Sequence, residues 1–157
     1  MNDKHDRGGA TNKGVTFATW KKYCAKNGKT ASVESLKKMT NDEWGEIFKE
    51  MYWDRCMADR IGDQNIANIL VDWMWCSGIW AIKHVQKIVG VKADGIVGCK
   101  TIGAINGQAD ITLFGKIKKD RIGFVEAIVR RNPAQGRFLR GWKNRINAIN
   151  YDQINML

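Results

Sequence analysis

The stretch that decides the fold is "GDQNIANILVDWMWCSG", residues 62–78. From Ile66 to Cys76 it is apolar nearly all the way round. A helix without a polar face has no side to give to water, so it belongs in the middle of a protein with other helices around it. Ser77-Gly78 is placed to break it, and the pattern predicts a second helix running to about Val89.

The flanks read in the same way. Upstream, Phe17 to Lys26 reads as a short helix with Thr16 as N-cap and Asn27-Gly28 as its stop. Ser32 to Lys38 reads as a helical turn. In "TNDEWGEIFKEMYWDR", residues 40–55, Thr40 and Glu43 have capping-box spacing. Trp44, Ile47, Phe48, Met51 and Tyr52 then recur at helical spacing. Downstream, "GVKADGIVG", residues 90–98, is a turn-rich connector, and a short helix follows Gly98 through Ile105. Asp110 is placed to cap a longer helix with Ile111, Phe114, Ile117, Val125, Ile128 and Val129 on its buried side, ended by Asn132-Pro133. The last helix carries Phe138, Leu139, Trp142, Ile146 and Ile149 on one stripe. This makes about seven helices around a central one, an all-α domain with no internal repeat.

Composition agrees. The chain has 157 residues, 44% of them hydrophobic, and one proline, Pro133. That is enough to bury a core. No strand-length alternation stands out, and no apolar run reaches the ~18 residues of a membrane span. The net charge is +10. Between Lys116 and Arg145, ten Lys/Arg less two acids, Asp120 and Glu126, leave +8 of it. Such a surface attracts a polyanion: nucleic acid, an anionic membrane or an acidic wall polymer. It is equally what a solvated basic helix face looks like. The four cysteines, at 24, 56, 76 and 99, have no metal-ligand spacing and read as free, mostly buried thiols.

Two stretches say more. The opening "DRGGATNKGVTFATW", residues 6–20, resembles the N-terminal signature of the glycoside hydrolase family 108 lysozymes, a group of phage endolysins, related bacterial muramidases and secretion activator proteins. "VDWMWCSGIWAIKHVQKIVGVKADGIVGCKTIGAIN", residues 71–106, with "FLRGWKNRI", residues 138–146, resembles the peptidoglycan-binding half that follows that catalytic half. The motifs stand in the family's order: Asp-x-Gly-Gly-x-Thr from Asp6 to Thr11, Trp53-Asp54, Asp59 to Gln64, then Asp94 to Thr101. Where the family has proline this chain has Cys99, at a first helical turn that does not require it.

The resemblance implies a lysozyme-like helical fold, with a catalytic region at 1–65 and a peptidoglycan-binding region at 66–152. It implies cleavage of the wall glycan between N-acetylmuramic acid and N-acetylglucosamine, without metal or organic cofactor. It also implies a general-acid glutamate in a Glu-Gly-Gly motif. Aligning Asn2-Asp3 puts that residue roughly four positions before Met1, so the 157-residue chain is expected to be inactive or nearly so. Either the native protein begins further upstream and is an active enzyme, or the gene is degenerate and encodes a non-catalytic wall-binding protein. Asp6 matches the family's aspartate, and Thr11 sits where phage-type lysozymes hold a threonine beside the water. Gly8 and Gly9 let the backbone approach a sugar.

The other glutamates have ordinary readings: Glu43 as a capping residue, Glu46 and Glu50 as an exposed i,i+4 pair, Glu126 facing the basic helix. Several candidates have two readings. Asp6 and Thr11 could instead be turn residues. Tyr52, Trp53 and Trp44 either stack on sugars or fill core. Gln64 either bonds sugar groups or caps the central helix. Asp72, a carboxylate in a buried helix, needs a partner: the opening loop, a Lys or Arg, or substrate. The expected partner is bacterial peptidoglycan, bound by a monomer made in the cytoplasm and acting at the cell wall or periplasm. A basic helical nucleic-acid-binding protein is the alternative from a different class, though no helix-turn-helix or basic-region motif supports it.

Overall fold

The computed structural model describes residues 10–152. Eight α-helices dominate them, so the all-α expectation holds. The chain forms two compact units, residues 1–51 and 52–157.

The first unit opens with a hairpin of two-residue strands, β1 (Thr11–Asn12) and β2 (Val15–Thr16). Strands this short give no alternation to read. The link is Lys13-Gly14, both at positive φ, the backbone of a tight antiparallel turn. Helix α1 (Phe17–Lys26) follows, capped by Thr16, whose side chain accepts from Thr19 N. Helix α2 (Val33–Lys37) and helix α3 (Asn41–Phe48) both start with complete capping boxes, Ser32 with Ser35 and Thr40 with Glu43. Trp20, Tyr23, Cys24, Leu36 and Ile47 are buried.

The third helix is not continuous to Arg55. It ends at Phe48, and a π-helical turn, Lys49–Trp53, continues the chain. The wider turn breaks the 3.6-residue register that the sequence pattern assumed. Glu46 and Glu50 are exposed, and each has a partner of its own. Glu46 accepts from the Tyr23 hydroxyl at 2.5 Å, and Glu50 pairs with Lys26 at 2.7 Å. Burial first, and then Glu46, push the Tyr23 phenol above its ordinary range.

In the second unit, helix α4 (Gln64–Ser77) is the predicted central helix. Ile66, Ala67, Ile69, Leu70, Val71, Trp73 and Met74 are all 1% exposed or less. Each large apolar side chain buried this fully stabilises the fold by about 1.5–3 kcal/mol. Its cap is Asp63 rather than Gln64: Asp63 Oδ1 accepts from Ile66 N at 2.9 Å. Gly78, at φ 61° and ψ −141°, ends α4 and begins α5 (Ile79–Val89), in a conformation closed to side-chain-bearing residues. Helix α6 (Cys99–Asn106), helix α7 (Asp110–Arg131) and helix α8 (Gly136–Asn147) complete the unit. Helix α7 packs against α4, α5 and α8.

Helix α7 departs from its pattern at the start. Its N-cap position is Ala109, and Asp110 lies in the first turn. Ile111 is 55% exposed. The buried positions are Leu113, Phe114, Ile117, Arg121 and Val125, with Ile128 and Val129 half-buried. On α8 only Ile146 is fully buried, and Ile149 lies beyond the helix end. All four thiols are free, but burial divides them: Cys24 and Cys56 are buried, Cys76 and Cys99 exposed.

Candidate functional site

Asp6, Gly8 and Gly9 lie outside the described residues. Thr11 is described. It is half-buried in β1, opposite Thr16, and the hairpin that carries it is fastened at several points. Asn12 Nδ2 donates to Leu36 O at 2.9 Å, capturing the end of α2. The Lys13 ammonium donates to Asn41 Oδ1, and Trp44 Nε1 donates to Lys13 O at 3.1 Å. Phe17 N donates to Ala10 O at 2.9 Å. The loop is therefore set by polar contacts to two helices of its own unit. Trp44 takes part through its indole N–H while its ring stacks on Phe48 at 5.4 Å.

The remaining candidates belong to the second unit. The Tyr52 ring lies 4.7 Å from that of Trp75, and Trp53 Nε1 donates to Asp59 Oδ1 at 2.8 Å. Both side chains are half-buried. Gln64 is exposed at the first turn of α4 and donates to Asn68 Oδ1 at 2.8 Å. The surrounding polar residues fasten the chain's end: Asp63 Oδ2 accepts from the Tyr151 hydroxyl at 2.8 Å, and Asn65 exchanges hydrogen bonds with the Asp152 backbone.

Asp72 is held by two arginines. Its Oδ2 lies 2.7 Å from Arg121 Nη2 and its Oδ1 2.7 Å from Arg145 Nη2. Burial pushes the carboxyl up, but the hydrogen bonds and charges of Arg145 and Arg121 outweigh it and hold Asp72 below the ordinary carboxylate range. An arginine partner was one of the readings left open by the sequence. The identity of the two arginines, 49 and 73 residues away, was not legible there.

A general acid needs a carboxyl kept neutral near pH 7. The glutamates of the chain are engaged in the opposite way. Glu34 pairs with Lys38, Glu43 with Lys29, Glu50 with Lys26 and Glu126 with Lys143. Glu46 accepts from Tyr23. The Lys29 hydrogen bond, then the Thr40 backbone, lower Glu43, and Lys143 lowers Glu126.

One feature had no sequence motif: a groove of about 590 Å³ between α5 and α7, with His84 and several lysines around it. Its residues lie on two helices about 30 positions apart and converge only in the fold. Among the described residues, no cluster of three His, Cys, Asp or Glu side chains could hold a metal ion. Nor is any helix long and apolar enough to cross a membrane.

Residues 1–78 match the glycosyl hydrolase 108 family, and residues 80–147 match a predicted peptidoglycan domain. The two matches meet at the break between α4 and α5. The solved structure of Brucella abortus SagA is similar to this chain, with a TM-score of 0.77 and 26% identity over 98% of this chain and 88% of that one. No curated protein matches the sequence significantly.

Proposed function

Because the chain belongs to the glycosyl hydrolase 108 family and carries a peptidoglycan domain behind the hydrolase region, we propose that it is the scaffold of an N-acetylmuramidase. It binds bacterial peptidoglycan and serves cleavage between N-acetylmuramic acid and N-acetylglucosamine. The observation that carries this reading is the ordered pair of family matches, which together span residues 1–147 apart from residue 79.

The chemistry divides the labour. A glycosidic oxygen leaves only when protonated, and the oxocarbenium-like centre must be stabilised or met by water from the other side. Asp6 is the candidate for that second task. Thr11, on the fastened hairpin, is the candidate for positioning the water. Gly8 and Gly9 would give the sugar access to the backbone, and Tyr52, Trp53, Gln64 and Asp72 are further candidates for the substrate-binding surface. The proton donor of the family motif is not among the 157 residues, and the five glutamates that are present have other partners. The protein works as a monomer at the cell wall or periplasm.

The test is clearing of a purified peptidoglycan suspension by this chain and by a protein extended through its upstream codons, where these encode Glu-Gly-Gly. The extended protein's glutamate-to-glutamine variant is the control. Clearing by the extended wild type alone supports the reading. Sedimentation with the wall and no clearing by any of them removes the hydrolase part and leaves a binding protein. Steeply salt-dependent binding to DNA with none to peptidoglycan rejects both.

A further inference from the structure

The groove between α5 and α7 is lined by three lysines and an apolar side chain. Lys87 comes from α5, and Lys116 and Lys119 from α7. All three are exposed, and none forms an ion pair among the described residues. Ile88 and Gly123 line the groove beside them. The one acid present, Asp120, is already engaged: its Oδ2 lies 2.8 Å from His84 Nδ1. An ionised carboxylate can only accept, so Nδ1 carries the proton and Asp120 fixes the ring. The lining is left with an excess of positive charge that no protein group answers.

The same face of α5 carries a second unexplained side chain. Trp80 is 55% exposed, while Ala81, Ile82, Val85 and Val89 bury the opposite face. Trp80, His84 and Lys87 are spaced i, i+4, i+7, which puts them on one stripe. Trp80 stands about 10 Å along the axis from Lys87, from the rise of 1.5 Å per residue. Lys83 sits over one face of its ring, 5.1 Å from the centroid. Core packing does not account for an indole in this position.

The geometry points to a two-part muropeptide site: Trp80 stacks on a sugar of the glycan, and the lysine-lined groove takes carboxylates of the attached stem peptide. The glycan backbone offers little charge, so it does not answer three unpaired lysines. A stem peptide carries carboxylates next to alanine methyls, which suit lysines that share a groove with an isoleucine. A wall phosphate polymer would satisfy the lysines but leave Ile88 and Trp80 without a role. Stem and sugar are covalently joined, so a ligand with both groups engages a stripe with both receptors. This deepens the peptidoglycan reading above and rests on it.

The experiment is co-sedimentation of the full chain with two walls, both freed of phosphate polymers. One keeps its stem peptides; the other has been stripped to glycan by an amidase, and the lactyl carboxylates that this hydrolysis frees have been capped as methylamides. The variants are Lys116→Ala/Lys119→Ala and Trp80→Ala, with Arg140→Ala on α8 as a control for overall charge and circular dichroism as a check on folding. Exposed ion pairs are individually weak, so the expected loss for the double lysine variant on stem-bearing wall is about tenfold. Its binding to stripped glycan should stay unchanged, while Trp80→Ala weakens both. Wild-type binding by the lysine variant on stem-bearing wall, or equal losses on the two walls, overturns the site while leaving wall binding intact. Failure of the wild type to sediment with either wall overturns the site and the peptidoglycan reading together.

Discussion

Replacing Asp72 by alanine should be among the most damaging single changes in the second unit. Arg121 is 2% exposed, and its Nη1 has no hydrogen-bond partner among the described residues. Its charge is answered by Asp72 at 2.7 Å, with the Cys76 sulfur a weaker neighbour at 3.5 Å. Removing one partner of a buried pair leaves the other charge uncompensated, at a cost of about 3–5 kcal/mol. The Asp72 side chain is itself 28% exposed, which places the change near the lower end, about 3 kcal/mol. For a chain of this size that corresponds to a fall in Tm of roughly 6–12 °C. Arg145 is 50% exposed, so Arg145→Ala should cost at most about 1 kcal/mol. Urea unfolding followed by circular dichroism reads both. The double variant Asp72→Leu/Arg121→Met removes both charges and should be more stable than Asp72→Leu alone. Equal stability losses for Asp72→Ala and Arg145→Ala, or no recovery in the double variant, would refute the reasoning. The pH dependence follows from the same pair. Asp72 is held below its ordinary 3.8 in the folded state. Its contribution is therefore fully present above that unfolded-state value and is lost as pH falls through the lower folded value. The wild type should lose stability over that acid range more steeply than Asp72→Asn does.

Three other outcomes are expected. Gly95→Ala should destabilise the α5–α6 connector by about 2 kcal/mol or more, because φ is +76° and a Cβ would lie 2.4 Å from Ile79 Cγ1; a thermal melt matching wild type would contradict this. Gln86 is 1% exposed and ties the same connector, with Nε2 facing Asp94, Ile96 and Thr101 and Oε1 accepting from Gly95 N at 2.9 Å. Gln86→Leu should cost about 1–3 kcal/mol and speed amide exchange over residues 91–98, and unchanged exchange there would count against that role. In the native protein a thiol reagent should modify Cys99 first and Cys76 more slowly, because burial raises the Cys76 thiol although its residue is exposed, with Cys56, whose thiol burial pushes up to about 12, reacting only on unfolding; four equal rates would show that this burial pattern is wrong.

The local features were legible because their causes are local. Thr16, Thr40 with Glu43, Ser77-Gly78 and Asn132-Pro133 bound helices in the structure close to where caps and breakers put them, since an exposed amide or a missing N–H is answered within a few residues. Errors came where geometry departs from a regular period. The π turn at Lys49–Trp53 interrupts the regular α register that the pattern extends through Met51 and Tyr52. Hydrophobicity alone places Ile111 in the core, while burial on α7 is decided by which neighbours its first turn reaches. The order of motifs carried the family, and it is the source of Asp6 and Thr11 as candidates. It did not carry the tethering of the Thr11 hairpin to Leu36, Asn41 and Trp44, which depends on contacts 24 to 31 residues apart.

The sequence by itself determined an all-helical chain around residues 66–76, most of the helix ends, a basic C-terminal half and the family. Each rests on residue type and short spacing, which a one-dimensional string preserves. Only the tertiary structure decided that Asp72 would meet Arg121 and Arg145, that Gln86 would hold a connector in place, and that Lys87 would share a groove with Lys116 and Lys119. Those groups are separated by 8 to 73 residues and belong to different helices or loops. The energy of such pairs depends on distance and on how much water remains between the partners, and both are set by how helices pack.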